Sequence, residues 1–157
     1  MKSGDWIILG ILGSISLVGA FFDVRSKTVP RWLLTVGGSS VTIAVALCLF
    51  QGSDGSTILP TGIPLLLRLA GIVPGVVLLV LSLLKKGMGV GDSVLILFYG
   101  WGLGVRLLFF LMLLWYLGVF MVGLFCLTIL RKGRKYALPF YPFAALGTGV
   151  LTVCLLL

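Results

Sequence analysis

The chain has 157 residues, 60% of them hydrophobic and 10% charged, with a mean hydropathy of +1.25 and a formal net charge of +8. That composition excludes a soluble globular domain, and the absence of histidine excludes Ser-His and Cys-His dyads, His-ligated metals and His proton shuttles. The positive charge sits in short segments between apolar runs, as the positive-inside rule predicts for membrane topology, so no nucleic-acid partner is expected.

In chain order, Trp6 to Phe22 reads as the first span. Its amino-terminal side carries Lys2 against Asp5 and its carboxyl side is basic, the reverse of a secretory signal. The segment from Asp23 to Arg31, with Arg25 and Lys27, is predicted to be cytoplasmic, and Pro30 suits the first turn of the next helix. Trp32 to Phe50 is the second span. Gln51 to Pro64, rich in Gly, Ser, Thr and Pro, reads as an external loop. Leu65 to Leu84 is the third span, with a kink expected at Pro74 and Arg68 snorkelling near its outer end.

Lys85 and Lys86 return the chain to the cytoplasm, and so does Arg131-Lys132-Gly133-Arg134-Lys135. The apolar stretch between them, Ser93 to Leu130, must therefore cross an even number of times. At ~1.5 Å per residue it is long enough to cross a ~30 Å core twice. The predicted turn is Gly100-Trp101-Gly102-Leu103-Gly104, with Arg106 just beyond it. This makes a short fourth span from Ser93 to Trp101, a fifth from Val105 to Leu130 and a sixth from Phe140 to Leu157. The expected architecture is an all-α, polytopic membrane helical bundle. It is a single domain over residues 1–157, with about six transmembrane helices and both termini outside.

The chain has four acidic residues, Asp5, Asp23, Asp54 and Asp92. Carboxylates at a membrane boundary are costly and are default candidates for function. Topology puts Asp23 and Asp92 on the cytoplasmic side at similar depth; Asp5 and Asp54 fall on the other side and are read as solvated caps. Two carboxylates within a few ångströms share a proton. One form accepts a proton from water while the other donates to a carbonyl oxygen and then to a leaving amine, and the pair titrates as a unit. That is the chemistry of peptide-bond hydrolysis. The alternative for Asp23 is a helix-end carboxylate paired with Arg25.

Asp92 closes the loop Lys86-Gly87-Met88-Gly89-Val90-Gly91-Asp92. Gly87, Gly89 and Gly91 let backbone approach backbone, so the loop is predicted to bind an extended substrate by strand addition. Gly10, Gly13, Gly118 and Gly123 are read as packing glycines. Cys48, Cys126 and Cys154 lie in apolar runs without metal-ligand spacing and are read as small buried hydrophobes. Neither a metal nor a cofactor is expected.

Three blocks resemble the type IV prepilin leader peptidases, membrane aspartic proteases of the GxGD kind. They are Asp23-Val24-Arg25 with Val29-Pro30, the loop from Lys86 to Asp92, and Leu138-Pro139-Phe140-Tyr141-Pro142-Phe143-Ala144-Ala145-Leu146-Gly147. The resemblance covers essentially the whole chain. It implies Asp23 and Asp92 as the catalytic pair, with Gly87, Gly89, Gly91, Lys86, Arg25 and Pro139 as substrate-binding or site-shaping residues. It also implies prepilin or pseudopilin leader peptides as partners, cleaved at the cytoplasmic face of the plasma (inner) membrane, commonly after a glycine. Arg31, Val94 and Tyr141 depart from the family's usual Asn, Lys and small residue. This chain has no cysteine-rich segment of the kind that larger relatives use for N-methylation, so the resemblance implies peptidase activity without support for methyl transfer.

Two rivals use the same sequence. A proton- or cation-coupled small membrane transporter would employ the same aspartates, although the inverted repeats common in carriers are not seen. A non-catalytic assembly factor of peptidase ancestry is the other.

Overall fold

The computed structural model describes residues 3–26, 28–50, 64–84, 89–128 and 139–156. Its elements are all helices: α1 (Ser3–Ser26), α2 (Arg31–Phe50), α3 (Leu65–Leu84), α4 (Val90–Thr128) and α5 (Tyr141–Leu156). In hydrocarbon a segment must satisfy its own backbone polar groups, and a helix does so internally. Prolines mark two of the starts. The Pro30 carbonyl accepts from Leu33 N at 3.0 Å, and the Pro64 carbonyl from Leu67 N at 3.0 Å. Pro74 lies inside α3 without ending it.

Four helices are long and apolar enough to cross a membrane: Gly4–Ser26, Arg31–Leu49, Leu65–Leu84 and Val90–Cys126; α5, with 16 residues, is shorter. Large apolar side chains on every helix face outward, among them Leu17, Ile43, Leu66, Leu113, Phe120 and Val153. Such a surface suits a chain whose solvent is lipid.

Helix α4 is not one straight rod. In a continuous helix Tyr99 and Trp115 would stand roughly 24 Å apart, yet their ring centroids lie 4.8 Å apart in an edge-to-face pair. The chain doubles back at Gly104 (φ 72°, ψ 170°), the last residue of the predicted turn. That backbone conformation is open essentially to glycine alone. Replacing Gly104 with alanine is therefore expected to cost about 1–3 kcal/mol, read as a lower melting temperature of the purified protein in detergent.

The first limb of α4, residues 90–103, is the centre of the bundle. Leu95, Ile96, Tyr99 and Leu103 pack with Ile8, Leu12 and Ile15 of α1, Val41 and Val45 of α2, Leu108, Leu111 and Trp115 of the second limb, and Ala144 and Leu151 of α5. The Tyr99 hydroxyl lies 2.7 Å from Ser16 Oγ and 2.6 Å from Thr148 Oγ1, and donates to the Leu12 carbonyl at 3.2 Å. A polar knot so deep in an apolar core has each hydroxyl partnered, as burial demands.

Helix α3 packs chiefly on α4. Gly71 faces the Gly100 carbonyl and Gly75 faces Leu97, with no room for a methyl at either glycine. Spaced four apart, they form the small-residue ridge that lets two backbones approach. The glycines read from sequence as packing residues behave unevenly. Gly118 lies against Phe143 and Gly13 against Thr148, whereas a Cβ added at Gly10 would meet nothing within 4 Å. Among the cysteines, Cys48 is buried and Cys126 partly so, but Cys154 is exposed on α5, contrary to the expectation of burial.

Two expectations about charge are overturned. Asp5 is no solvated cap and Arg68 does not snorkel: they are 1% and 0% exposed and form an ion pair, Arg68 Nη2 to Asp5 Oδ1, at 3.2 Å. Arg68 Nη1 also donates to the Gly102 carbonyl. The pair ties the first turns of α1 and α3 to the reversal of α4. A guanidinium near a helix end escapes to water only if no carboxylate is closer, and here Asp5 is. Asp54 lies outside the described residues.

Candidate functional site

The opposite end of the bundle gathers the described residues of the three sequence blocks. Along α1, Asp23 stands roughly 27 Å from Asp5, in the last turn, half-buried. Helix α5 begins at Tyr141, whose N–H has no partner within its own helix, as is usual at a helix start. Asp23 supplies that partner: Tyr141 N–H donates to Asp23 Oδ2 at 3.1 Å. Pro142 has no N–H, and Phe143 N bonds to the Phe140 carbonyl at 3.0 Å. A carboxylate at a helix amino terminus also gains from the positive end of the helix dipole.

Asp92 lies in the first turn of α4, half-buried. The Gly89 carbonyl caps this helix, accepting from Asp92 N at 3.2 Å and Ser93 N at 3.4 Å. The Asp92 carboxylate folds back over Gly89, so that a Cβ there would lie 2.9 Å from Asp92 Oδ2. Glycine at 89 thus makes room for the carboxylate. Gly91 faces the Tyr141 hydroxyl and Val29, at 3.7 and 3.9 Å from the position of a Cβ, and its carbonyl accepts from Tyr141 Oη at 3.1 Å.

The two aspartates share one electrostatic neighbourhood. The charge of Asp23 acts on Asp92, and both charges act on the Tyr141 hydroxyl. Two carboxylates that feel each other's charge at the rim of an apolar bundle have coupled protonation, because ionising one disfavours ionising the other. Among the described residues Arg25 makes no ion pair with Asp23; it is exposed on the last turn of α1, so the alternative of a simple Asp23–Arg25 pair is not what holds Asp23.

Pro139, half-buried, immediately precedes the cap of α5. Lys86 and Gly87 lie outside the described residues. Gly89 and Gly91 are present at the site but not as an extended edge, contrary to the strand-addition expectation for them. Gly91 is already helical, and both glycine carbonyls accept bonds from within the protein.

Three participants have no role in the motif reading: Tyr141 entered it only as a departure from the family's pattern, and Trp115 and Tyr116 did not enter it. Tyr141 is fully buried between the aspartates. Trp115 and Tyr116 come from the second limb of α4 and flank Phe140 at ring centroid distances of 5.8 and 6.2 Å. The charge of Asp92 reaches Tyr116. They arrive here only because α4 doubles back, and the nearest sequence signal was the glycine-rich turn.

Comparison with known proteins yields no matching family model, no matching curated protein and no matching solved structure.

Proposed function

We propose that this chain is a membrane aspartic endopeptidase that removes the leader of type IV prepilins or prepilin-like proteins. What supports the reading is that Asp23 and Asp92, 69 residues apart in sequence by subtraction of their numbers, lie at one end of the bundle within electrostatic reach of each other. The first carboxylate is held by the amino terminus of α5 and the second lies over Gly89. In this reading the ionised member of the pair takes a proton from water. The protonated member donates to the scissile carbonyl oxygen as the water oxygen bonds to the carbonyl carbon. The proton taken from water then passes to the amine nitrogen as the C–N bond breaks, and the carbonyl re-forms by returning its proton to the pair.

The same reading counts the limbs of α4 as two crossings and α5 as a short one, giving six, with both termini outside. The basic segments then lie at the cytoplasmic face of the plasma membrane, and the aspartates beside them. The bilayer thins or the aspartates sit below the headgroups, because residues 90–103 extend only about 21 Å.

The test is co-expression with candidate prepilins, scored by leader removal on a gel. Since one carboxylate must be protonated and the other ionised, kcat/KM of the purified enzyme is expected to follow a bell-shaped pH profile. A rate that rises monotonically over the whole range would contradict the shared-proton mechanism.

A further inference from the structure

Two polar atoms of Tyr141, its main-chain nitrogen and its hydroxyl oxygen, reach both halves of the site. Its N–H donates to Asp23 Oδ2 and its hydroxyl to the carbonyl of Gly91, the residue before Asp92, both at 3.1 Å. The ring is 0% exposed. It lies on Gly19, where any Cβ would collide with the ring carbons Cδ1 and Cε1. Gly19 precedes Asp23 by four residues and so shares its face of α1. One side of the residue is thus docked on the Asp23 helix and the other on the Asp92 helix.

Resting on the peptidase reading, we infer that Tyr141 is a positioning residue that sets the spacing of the two catalytic carboxylates. The main-chain bond to Asp23 would survive any side chain except proline. The hydroxyl bond to Gly91 requires tyrosine, and neither phenylalanine nor a small residue can make it. A ring that merely filled the core would have no use for its hydroxyl at the carbonyl next to Asp92. With the hydroxyl bond in place, the first turn of α4 cannot slide along α5 without breaking it, so Asp92 keeps its place relative to Asp23. Small misplacements of catalytic groups are costly in rate.

The experiment compares purified full-length wild type with Tyr141→Phe and Gly19→Ala, using a prepilin with a basic leader as substrate. Tyr141→Phe keeps the ring and the N–H bond to Asp23 and removes the clamp on Gly91. It is expected to lower kcat by about ten- to a hundredfold, with KM within about twofold and the folded fraction unchanged at the assay temperature. Gly19→Ala keeps the hydroxyl but displaces the ring, and is expected to lower kcat in the same way. If Tyr141→Phe turns over within about twofold of wild type while the aspartate variants are inactive, the positioning role is overturned and proteolysis stands. A fall in kcat that only tracks a fall in folded protein overturns it equally. If wild type cuts no prepilin, the peptidase reading itself fails, and the Tyr141 role goes with it.

Discussion

Asp23→Asn and Asp92→Asn are each expected to leave the prepilin uncut at normal enzyme abundance, with the rate lowered by on the order of 10⁴. Asparagine is nearly isosteric with aspartate. At position 23 its carbonyl oxygen can still accept from Tyr141 N–H, now 3.1 Å from Asp23 Oδ2. At position 92 the amide fits the space left by Gly89. The fold is therefore preserved, and what disappears is the capacity to hold and transfer a proton. Because the pair acts as a unit, the double variant should be about as inactive as either single one. The measurement is the ratio of mature to uncut pilin, with enzyme level checked on the same blot. Normal processing in both variants, combined with a defect in proton- or cation-coupled uptake, would favour the transporter reading of the same carboxylates. Normal processing without an uptake defect would point to the assembly factor.

The second large effect lies at the other end of the bundle. Asp5→Leu is expected to destabilise the protein by about 3–5 kcal/mol, because it leaves a buried guanidinium without its counter-charge. Arg68 has two partners among the described residues, Asp5 and the Gly102 carbonyl, and its Nε already lacks one. The double variant Asp5→Leu/Arg68→Met should recover most of the loss, since replacing both members of a buried pair with apolar residues is often neutral. Thermal unfolding in detergent reads both effects. If Asp5→Leu alone melts with the wild type, the pair is not what joins α1, α3 and the α4 reversal. Asp5 and Asp23 lie at opposite ends of α1, so residual activity per folded molecule should stay near that of wild type.

Much of the site could be read before any fold was known. Hydropathy located the helices, and Asp23 and Asp92 stood out as carboxylates at the ends of apolar runs. The glycine cluster at 100–104 located the reversal, which the structure has at Gly104. Asp5 and Arg68 were misread for a definite reason. Each was judged by its own distance from the membrane boundary, and a charge near a boundary normally reaches water. Their burial depends on α1, α3 and Gly102 meeting, which neither residue's local sequence encodes. The ridge of Gly71 and Gly75 was not read as a packing surface, because the close approach that requires it comes from Gly100 and Leu97 of another helix.

Composition and pattern alone established that this chain is helical and apolar enough to cross a membrane, and that two of its four acidic residues, Asp23 and Asp92, stand at the ends of long apolar runs. These follow from hydropathy and charge, which add up along the polypeptide and need no knowledge of neighbours. Packing alone reveals that Asp23 is held by a main-chain N–H 118 positions away, that Tyr141 joins it to the start of α4, and that Asp5 is paired with Arg68. Hydrogen bonds and buried ion pairs act over about 3 Å and depend on which helix faces meet, and packing of the whole bundle sets that.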